Sequence, residues 1–297
     1  MKIVHFDAAW DPEYSPPSHR GFPDNLPQPA LDGLPVLDIG EHSMVKLKAV
    51  GRFANAFSTA LKNTDATAYL DLFAGPGLLR SRDNDQPLWG TPLIALQCPQ
   101  RFRKLVFVEM NPASAQALLK RAGQAARRGE CVTVITALAE DAIPEVIAQL
   151  PPKSIVLTLV DPFRVEFSLN ALRALTMARR VDLILLFADG MDLKRNLDLA
   201  MANDKAHAPR FDAAFGSADW RKVVVPHDPP GRSAARLRRL YVDRLKQLGF
   251  THFGKDLPVK NSRGAELYVL LYASHVPLGA KLWDHCTRSS QTEFNFG

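Results

Sequence analysis

The sequence is poor in cysteine and contains no long apolar run. Its three cysteines are widely spaced among 297 residues, which argues against a disulfide framework or a paired-cysteine metal site. No apolar stretch approaches the roughly 20 residues that a membrane-spanning helix requires. The first residues also lack the basic region and apolar stretch of a secretory signal peptide. We therefore expect a cytoplasmic protein that binds no metal ion and does not contact a membrane.

Apolar residues make up 46% of the chain, which is enough to form one large hydrophobic core. The formal net charge of +6 is compatible with binding to nucleic acid. Arginines concentrate between Gly231 and Leu248, where leucines at helical spacing leave one cationic face. That face can bind phosphate, or it can be a solvated face or one that pairs with acidic side chains.

The chain divides by composition into an arm, a main domain and a short tail. Residues 1–37 contain seven prolines and few aliphatic residues, so we predict an irregular N-terminal arm rather than a domain. Residues 38–290 are predicted to form the main domain, with a helical insertion near 191–222. Residues 291–297 are predicted to be a frayed tail.

Within the main domain, apolar strand patterns alternate with helical patterns. Strands are predicted near residues 68–72, 105–109, 132–136, 155–160 and 182–188. This alternation predicts an α/β fold with a parallel sheet and helices on both faces. Two later strands, 252–259 and 266–273, are joined by a short polar turn and predict an antiparallel C-terminal hairpin.

The most informative motif is Asp71-Leu72-Phe73-Ala74-Gly75-Pro76-Gly77, which follows the first apolar strand. Two glycines at the carboxyl end of a strand permit a tight turn and the close approach of a ligand. The third glycine of a dinucleotide fingerprint is absent, which favours a nucleoside without a diphosphate, such as S-adenosylmethionine. The alternative is an ordinary strand-to-loop turn. The predicted cofactor contacts from this motif are Asp71, Phe73, Ala74, Gly75 and Gly77.

Acidic residues follow the next two strands. Glu109 ends the apolar run Leu105-Val106-Phe107-Val108, where a Rossmann fold binds ribose hydroxyls. Asp141 follows the third strand and can accept a hydrogen bond from an adenine amino group. It can equally cap the helix that is predicted to begin near Ile143.

The fourth strand runs directly into Asp161-Pro162-Phe163. Ligands of open α/β sheets bind outside the carboxyl ends of the strands, so this corner is predicted to be catalytic. Asp161 can accept a hydrogen bond from a substrate N–H group, and Phe163 can stack on a flat ring. A strand-ending aspartate before a turn-forming proline is the alternative. Three cationic residues are candidates for contacts with substrate phosphates: Arg164, Lys194 and Arg195.

Over about residues 36–285, these motifs resemble the three-Cys-motif partner proteins (TcmP), a family of methyltransferase-like proteins. The resemblance also includes Lys46-Leu47, Gly90-Thr91-Pro92 and the pattern from Tyr272 to Trp283. It implies a Rossmann-like, seven-stranded methyltransferase sheet that binds S-adenosylmethionine. Asp161-Pro162-Phe163 further resembles the Asp/Asn-Pro-Pro-aromatic corner of amino-group methyltransferases, with one proline fewer. Arg164 stands where the family commonly has glycine.

We therefore predict an S-adenosylmethionine-dependent methyltransferase that acts on an amino nitrogen of a nucleobase in DNA or RNA. The expected partners are nucleic acid and, from the resemblance, a three-Cys-motif protein. One alternative is a partner protein of a radical-type enzyme that keeps the cofactor fold but has lost transfer activity. The other is a nuclease in which Asp71, Asp161 and Asp189 hold Mg²⁺.

Overall fold

The computed structural model describes residues 1–7, 18–64, 66–126, 130–225, 228 and 230–292. Residues 8–17 of the predicted arm and 293–297 of the predicted tail lie outside the described residues. In chain order the strands are β1 (Lys2–Asp7), β2 (Leu37–Ile39), β3 (Thr67–Asp71), β4 (Leu78–Ser81), β5 (Pro87–Trp89), β6 (Lys104–Glu109), β7 (Cys131–Thr136), β8 (Ile155–Val160), β9 (Arg180–Phe187), β10 (His252–Phe253), β11 (Leu257–Lys260) and β12 (Glu266–Ser274).

The helices of the described residues connect and cover these strands. They are α1 (Ser43–Ala60), α2 (Thr91–Leu96), α3 (Pro112–Ala125), α4 (Ile143–Gln149), α5 (Leu169–Ala178), α6 (Lys194–Met201), α7 (Ala208–Phe215), α8 (Pro230–Gln247) and α9 (Pro277–Thr292). A π-helical turn (Asp189–Leu193) precedes α6, and a 3-10 turn (Ala218–Val223) follows α7. None of the described helices combines the length and the apolar character that crossing a bilayer requires.

The central sheet has the strand order β1-β7-β6-β3-β8-β9-β12-β10, and β11 also pairs with β12. The five strands from β7 to β9 run parallel to one another, whereas β12 runs antiparallel to β9. Strands β10 and β11 pair antiparallel with β12. This order confirms the predicted fold class, a Rossmann-like parallel sheet that ends in an antiparallel hairpin. Among the described residues the sheet has nine strands rather than the predicted seven, because β1 adds to one edge and the predicted strand 252–259 is divided into β10 and β11.

The apolar strand runs form the core of this sheet because both of its faces are covered. Side chains of β8 from Val156 to Val160 are all buried, as expected for a central parallel strand. Helices α1, α2, α3 and α9 pack in one connected group, and α4, α5, α6, α7 and α8 in another. Two helical layers are what a doubly covered sheet requires.

The N-terminal region, predicted as an irregular arm, contributes a strand to the sheet. Strand β1 pairs antiparallel with β7 along its whole length. Most of its side chains are exposed, so its sequence lacks the apolar run that marks the buried strands. Later in the same region Phe22 is buried in the core, and Asp24 pairs with Arg52 of α1 at 2.7 Å. Residues 18–37 therefore pack against the main domain.

A second, three-stranded sheet was not predicted, and two of its strands follow the glycine motif directly. Its order is β2-β4-β5, with β2 parallel to β4 and β5 antiparallel to it. The chain leaving Gly77 thus enters a hairpin, and the helix that a Rossmann fold places there begins only at Thr91. The paired side chains of Arg80 and Asp38, 2.7 Å apart, join β4 to β2.

The arginine-rich segment is helix α8, and several of its cations are paired with carboxylates. Arg238 lies 3.1 Å from Asp189, and Arg236 lies 3.0 Å from Asp228. These pairs favour the interpretation in which the arginines bind acidic side chains of the same chain. They leave less of the helix free for phosphate than its composition alone indicates.

Candidate active site

A cavity of about 750 Å³ lies at the carboxyl edge of the parallel strands. Its volume is within the range of small-molecule sites, about 300–1,000 Å³. Segments that follow four neighbouring strands line it, and helix α1 closes one side. Of the predicted site residues, those in the lining are Phe73, Ala74, Gly75, Glu109, Asp141, Asp161 and Phe163.

The two glycines of the motif have different surroundings. Both have a positive φ, +62° at Gly75 and +85° at Gly77, which glycine adopts without strain. A Cβ added at Gly75 would meet no atom within 4 Å, so this glycine presents bare backbone to the cavity. A Cβ added at Gly77 would lie 3.0 Å from Leu118. Gly77 therefore serves close packing and does not line the cavity.

The glycine loop is fixed at both ends by hydrogen bonds. Glu109 accepts the backbone N–H of Gly75 at 2.9 Å through one carboxylate oxygen and that of Asn111 at 2.7 Å through the other. The N–H of Gly90 donates to the carbonyl of Gly77 at 2.8 Å. A Cβ at Gly90 would stand 2.7 Å from that carbonyl oxygen, so only glycine allows this approach. Glu109 therefore presents its carboxylate to the cavity in a fixed orientation.

Asp71 lies beneath the cavity rather than in its lining, and its side chain is 0% exposed. One carboxylate oxygen accepts the N–H of Phe73 at 3.1 Å, and the other accepts the hydroxyl of Thr91 at 2.6 Å. Burial raises the pKa of Asp71 to about 7, and the charge of Asp161 adds to the rise against these hydrogen bonds. Asp71 therefore organises the turn and the start of α2.

The raised pKa of Asp71 predicts a specific pH dependence of stability. The folded protein keeps the Asp71 proton up to a pH of about 7, whereas the unfolded chain releases it near about pH 4. The free energy of unfolding should therefore fall as the pH rises through this window. Asp71→Asn has no proton to release, so its stability relative to the wild type should increase by up to about 4 kcal/mol between about pH 4 and about pH 8.

Urea unfolding at both pH values measures this difference. Asp198→Asn, on the exposed side of α6, is the matched control and should leave the pH dependence unchanged. If the free energies of unfolding of Asp71→Asn and the wild type differ by the same amount at both pH values, Asp71 does not titrate in this window.

Asp161 forms a largely buried ion pair with Lys46 of helix α1. The pair is possible because β8 ends at Val160, which places Asp161 at the sheet edge under α1. Burial lowers the pKa of Lys46, but Asp161, together with Tyr268 and Asp71, more than offsets this, so Lys46 stays protonated. Burial likewise raises the pKa of Asp161, and Lys46 opposes that rise. In the sequence, Lys46 was noted only as part of the family resemblance, and its ion pair with Asp161 was not predicted.

The remaining predicted residues differ in their distance from the cavity. Phe163 is 70% exposed and stands at the rim, whereas Pro162 is buried and outside the lining. Arg164 is exposed beside Phe163, and Arg195 is exposed on α6. Arg164, Lys194 and Arg195 do not line the cavity.

Asp141 lines the cavity and does not cap helix α4. The N-cap position belongs to Ala142, which makes no side-chain hydrogen bond to the helix. Of the two interpretations of Asp141 from the sequence, capping is therefore wrong. Its carboxylate is exposed on the cavity side.

The arrangement of acidic residues does not match a shared Mg²⁺ site. Within the described ranges, Asp71, Asp161 and Asp189 do not form a group close enough to hold one ion. Each is instead bound within the protein, Asp71 by Thr91, Asp161 by Lys46 and Asp189 by Arg238.

Arg121, a residue that sequence analysis missed, connects the N-terminal region to the glycine loop. Its buried guanidinium donates to the carbonyl of Pro76 at 2.7 Å and to that of Pro35 at 2.8 Å. It also binds both carboxylate oxygens of Asp32, at 2.9 and 2.6 Å. These hydrogen bonds hold the pKa of Asp32 down to about 2. An arginine in the middle of an amphipathic helix carries no sequence signal for such a role.

Solved structures with a similar fold include protein LPL1258 from Legionella pneumophila, at 13% identity and a TM-score of 0.52, over 84% of this chain and 93% of that one. Others are Trm1 from Pyrococcus horikoshii in complex with S-adenosyl-L-methionine (11% identity, 83% and 58%, TM-score 0.44) and human methyltransferase-like protein 13 in complex with SAH (12% identity, 83% and 92%, TM-score 0.43). Neither a protein-family model nor a curated protein matches the chain. The similarity to LPL1258 shows a shared fold.

Proposed function

We propose that this protein is an S-adenosylmethionine-dependent methyltransferase that acts on an amino nitrogen of a nucleobase in DNA or RNA. The observation that carries the proposal is one cavity lined by Gly75, Glu109, Asp141 and Asp161. These residues lie at or beyond the carboxyl ends of four neighbouring parallel strands, the edge at which open α/β sheets bind ligands. The names of the Trm1 and human structures are consistent with this cofactor.

The cavity residues suit an adenosyl cofactor without a diphosphate. The open space at Gly75 admits a ligand against the backbone, and Phe73 and Ala74 line the same side. Each oxygen of Glu109 binds one N–H group and keeps a further lone pair for a ribose hydroxyl. Asp141 can accept the adenine amino group. When bound, S-adenosylmethionine supplies a methyl group activated on a sulfonium.

Asp161 is proposed to orient the acceptor amine. Lys46 binds the Oδ2 atom of Asp161, and the hydrogen bonds of the described residues leave Oδ1 for a substrate N–H group. Because the carboxylate is held in place by the ion pair, it needs little reorganisation when the acceptor arrives. Alignment of the amine with the methyl group is the main requirement of such a displacement.

The exposed ring of Phe163 is proposed to stack on the acceptor base at the rim. A base in a duplex must first be extruded, at a cost of a few kcal/mol. Arg164 follows Phe163 and is exposed, so it can contact a flanking phosphate. Lys194 and Arg195, farther along the chain, are proposed to contact phosphates away from the cavity.

The resemblance of the sequence to the TcmP proteins favours a second candidate. A partner protein of a radical-type enzyme can use the same cavity for the cofactor without transferring a methyl group. The ion pair that holds Asp161 is compatible with this function, because it occupies one oxygen of the predicted catalytic carboxylate.

Calorimetry with S-adenosylmethionine in EDTA tests cofactor binding, and we expect one equivalent to bind without metal. Incubation with tritiated S-adenosylmethionine and separated DNA, RNA and protein then tests transfer, and we expect label in a nucleic-acid fraction. Binding without any labelled fraction favours the partner protein. Label in protein would overturn the nucleobase assignment, and absence of binding would overturn the proposed function.

A further inference from the structure

We propose that His5, Asp7 and Cys131 form a binding site for a divalent metal ion of the zinc class. The site lies at the β1 edge of the sheet and at the amino end of β7. The candidate active site is at the carboxyl ends of the parallel strands, so the two sites are separate. Nothing in the proposed methyl transfer uses these three residues.

Strand pairing brings the three side chains together. Strand β1 runs antiparallel to β7, with Asp7 opposite Cys131 and His5 opposite Thr133. Residues two apart in a strand point to the same face, so His5 and Asp7 share the face of Cys131. One nitrogen, one oxygen and one sulfur atom of these residues lie within 4.8 Å of one another.

The donor atoms are close enough for one ion to join them after a small movement of the imidazole. The Nε2 and Nδ1 atoms of His5 lie 3.6 and 3.7 Å from the Sγ atom of Cys131, so the exposed ring must turn until Nε2 alone faces a shared ion. Zinc–sulfur and zinc–nitrogen bonds of about 2.3 and about 2.0 Å, at a tetrahedral angle, separate two ligand atoms by about 3.5 Å. Imidazole, carboxylate and thiolate are all zinc ligands, and three protein ligands leave one position for water.

Neighbouring residues bind the imidazole. The Nδ1 atom of His5 is 3.0 Å from the hydroxyl oxygen of Thr133 and 3.4 Å from the ammonium nitrogen of Lys104. With its proton on Nδ1, the imidazole donates to Thr133 and keeps the lone pair of Nε2 for a metal ion. Thr133 in turn donates to the side-chain oxygen of Gln149 at 3.3 Å.

Lys104 is a buried cation beside the cluster. The residue is only 5% exposed, and its ammonium donates to Thr133 at 2.7 Å and to the sulfur of Cys131 at 3.2 Å. Metals bind cysteine as the thiolate. When the Cys131 thiol carries a proton, metal binding releases that proton to solvent. The negative charges of Asp7 and the thiolate together balance the two positive charges of the ion. The ammonium of Lys104 therefore lies beside a metal site with no net charge.

This site has no sequence signature because its ligands are far apart along the chain. His5 and Cys131 are separated by 126 positions, so no short metal-binding motif exists. Metal bound here would link β1 to β7 and stabilise that edge by mass action.

The test uses the full-length protein, stripped of metal with EDTA and then titrated with Zn²⁺ alone. We expect one equivalent to bind, and we expect Co²⁺ to give a thiolate charge-transfer band in the near ultraviolet. Cys131→Ser should remove the band, and His5→Ala should weaken zinc binding at least about tenfold. His285→Ala, an exposed histidine on α9, is the matched control and should leave binding unchanged.

Absence of stoichiometric zinc binding in the wild type would overturn the proposal. Equal affinity in the wild type and His5→Ala would overturn it as well. Because His5 is exposed at the sheet edge, this variant remains informative even if Cys131→Ser does not fold.

Discussion

Asp161→Asn is expected to lower the rate of methyl transfer by at least about 100-fold, the scale seen when a positioned electrostatic contact is removed. Binding of S-adenosylmethionine should change much less, because the amide replaces the carboxylate without a change of size. Single-turnover transfer of a tritiated methyl group and calorimetric binding of the cofactor measure the two effects separately. Turnover equal to that of the wild type would remove Asp161 from the mechanism.

The ion pair with Lys46 makes a stability control necessary. Asp161→Asn leaves the largely buried ammonium of Lys46 without its counter-charge, which typically costs about 3–5 kcal/mol. The double variant Lys46→Met/Asp161→Asn removes both charges and should recover much of this stability. Transfer should stay low in the double variant. Recovery of transfer together with stability would show that Asp161 acts only through folding.

Arg121→Met is expected to destabilise the protein by about 3 kcal/mol, because it leaves the buried carbonyl of Pro76 and the part-buried acceptors of Pro35 and Asp32 without their donor. The substitution keeps the apolar stem of the side chain and removes the guanidinium that joins Asp32, Pro35 and Pro76. Urea unfolding measures the loss of stability. Because Pro76 belongs to the glycine loop, binding of S-adenosylmethionine should also weaken by about tenfold, or about 1.4 kcal/mol.

Arg173→Met is the matched control, since Arg173 is exposed on α5. A surface substitution of this kind usually changes stability by no more than about 0.5 kcal/mol. Equal stability of the two variants would show that the hydrogen bonds of Arg121 do not hold the loop. Loss of stability without loss of cofactor affinity would separate the role of Arg121 in folding from its role in the site.

The sequence predicted the parts of the fold that depend on local pattern. Strand β8 is a continuous apolar run, and its burial on both faces follows from that run alone. The C-terminal hairpin followed from two strand patterns and a short polar turn, which restrict the chain to antiparallel pairing. Ligands of open α/β sheets bind at the carboxyl ends of the parallel strands. This rule correctly placed Glu109, Asp141 and Asp161 around one cavity.

The sequence did not predict features that depend on pairing between distant segments. Strand β1 has mostly exposed side chains, so its place beside β7 follows from main-chain pairing rather than from an apolar pattern. The β4–β5 hairpin is short and interrupts a familiar strand-to-helix connection. Lys46 and Arg121 lie in helices that contain other cations, and their partners lie in other parts of the chain.

The hydrogen bond from the N–H of Gly90 to the carbonyl of Gly77 closes the base of the β4–β5 hairpin. Beyond this base, Leu79 lines the cavity, and the carboxylate of Asp83 near the tip accepts the backbone N–H of Glu41 at 3.0 Å. The hairpin is therefore coupled to the segments around the pocket both at its base and at its tip. A change in hairpin length should alter the shape of the pocket, so this hairpin is a place where ligand selectivity can diverge.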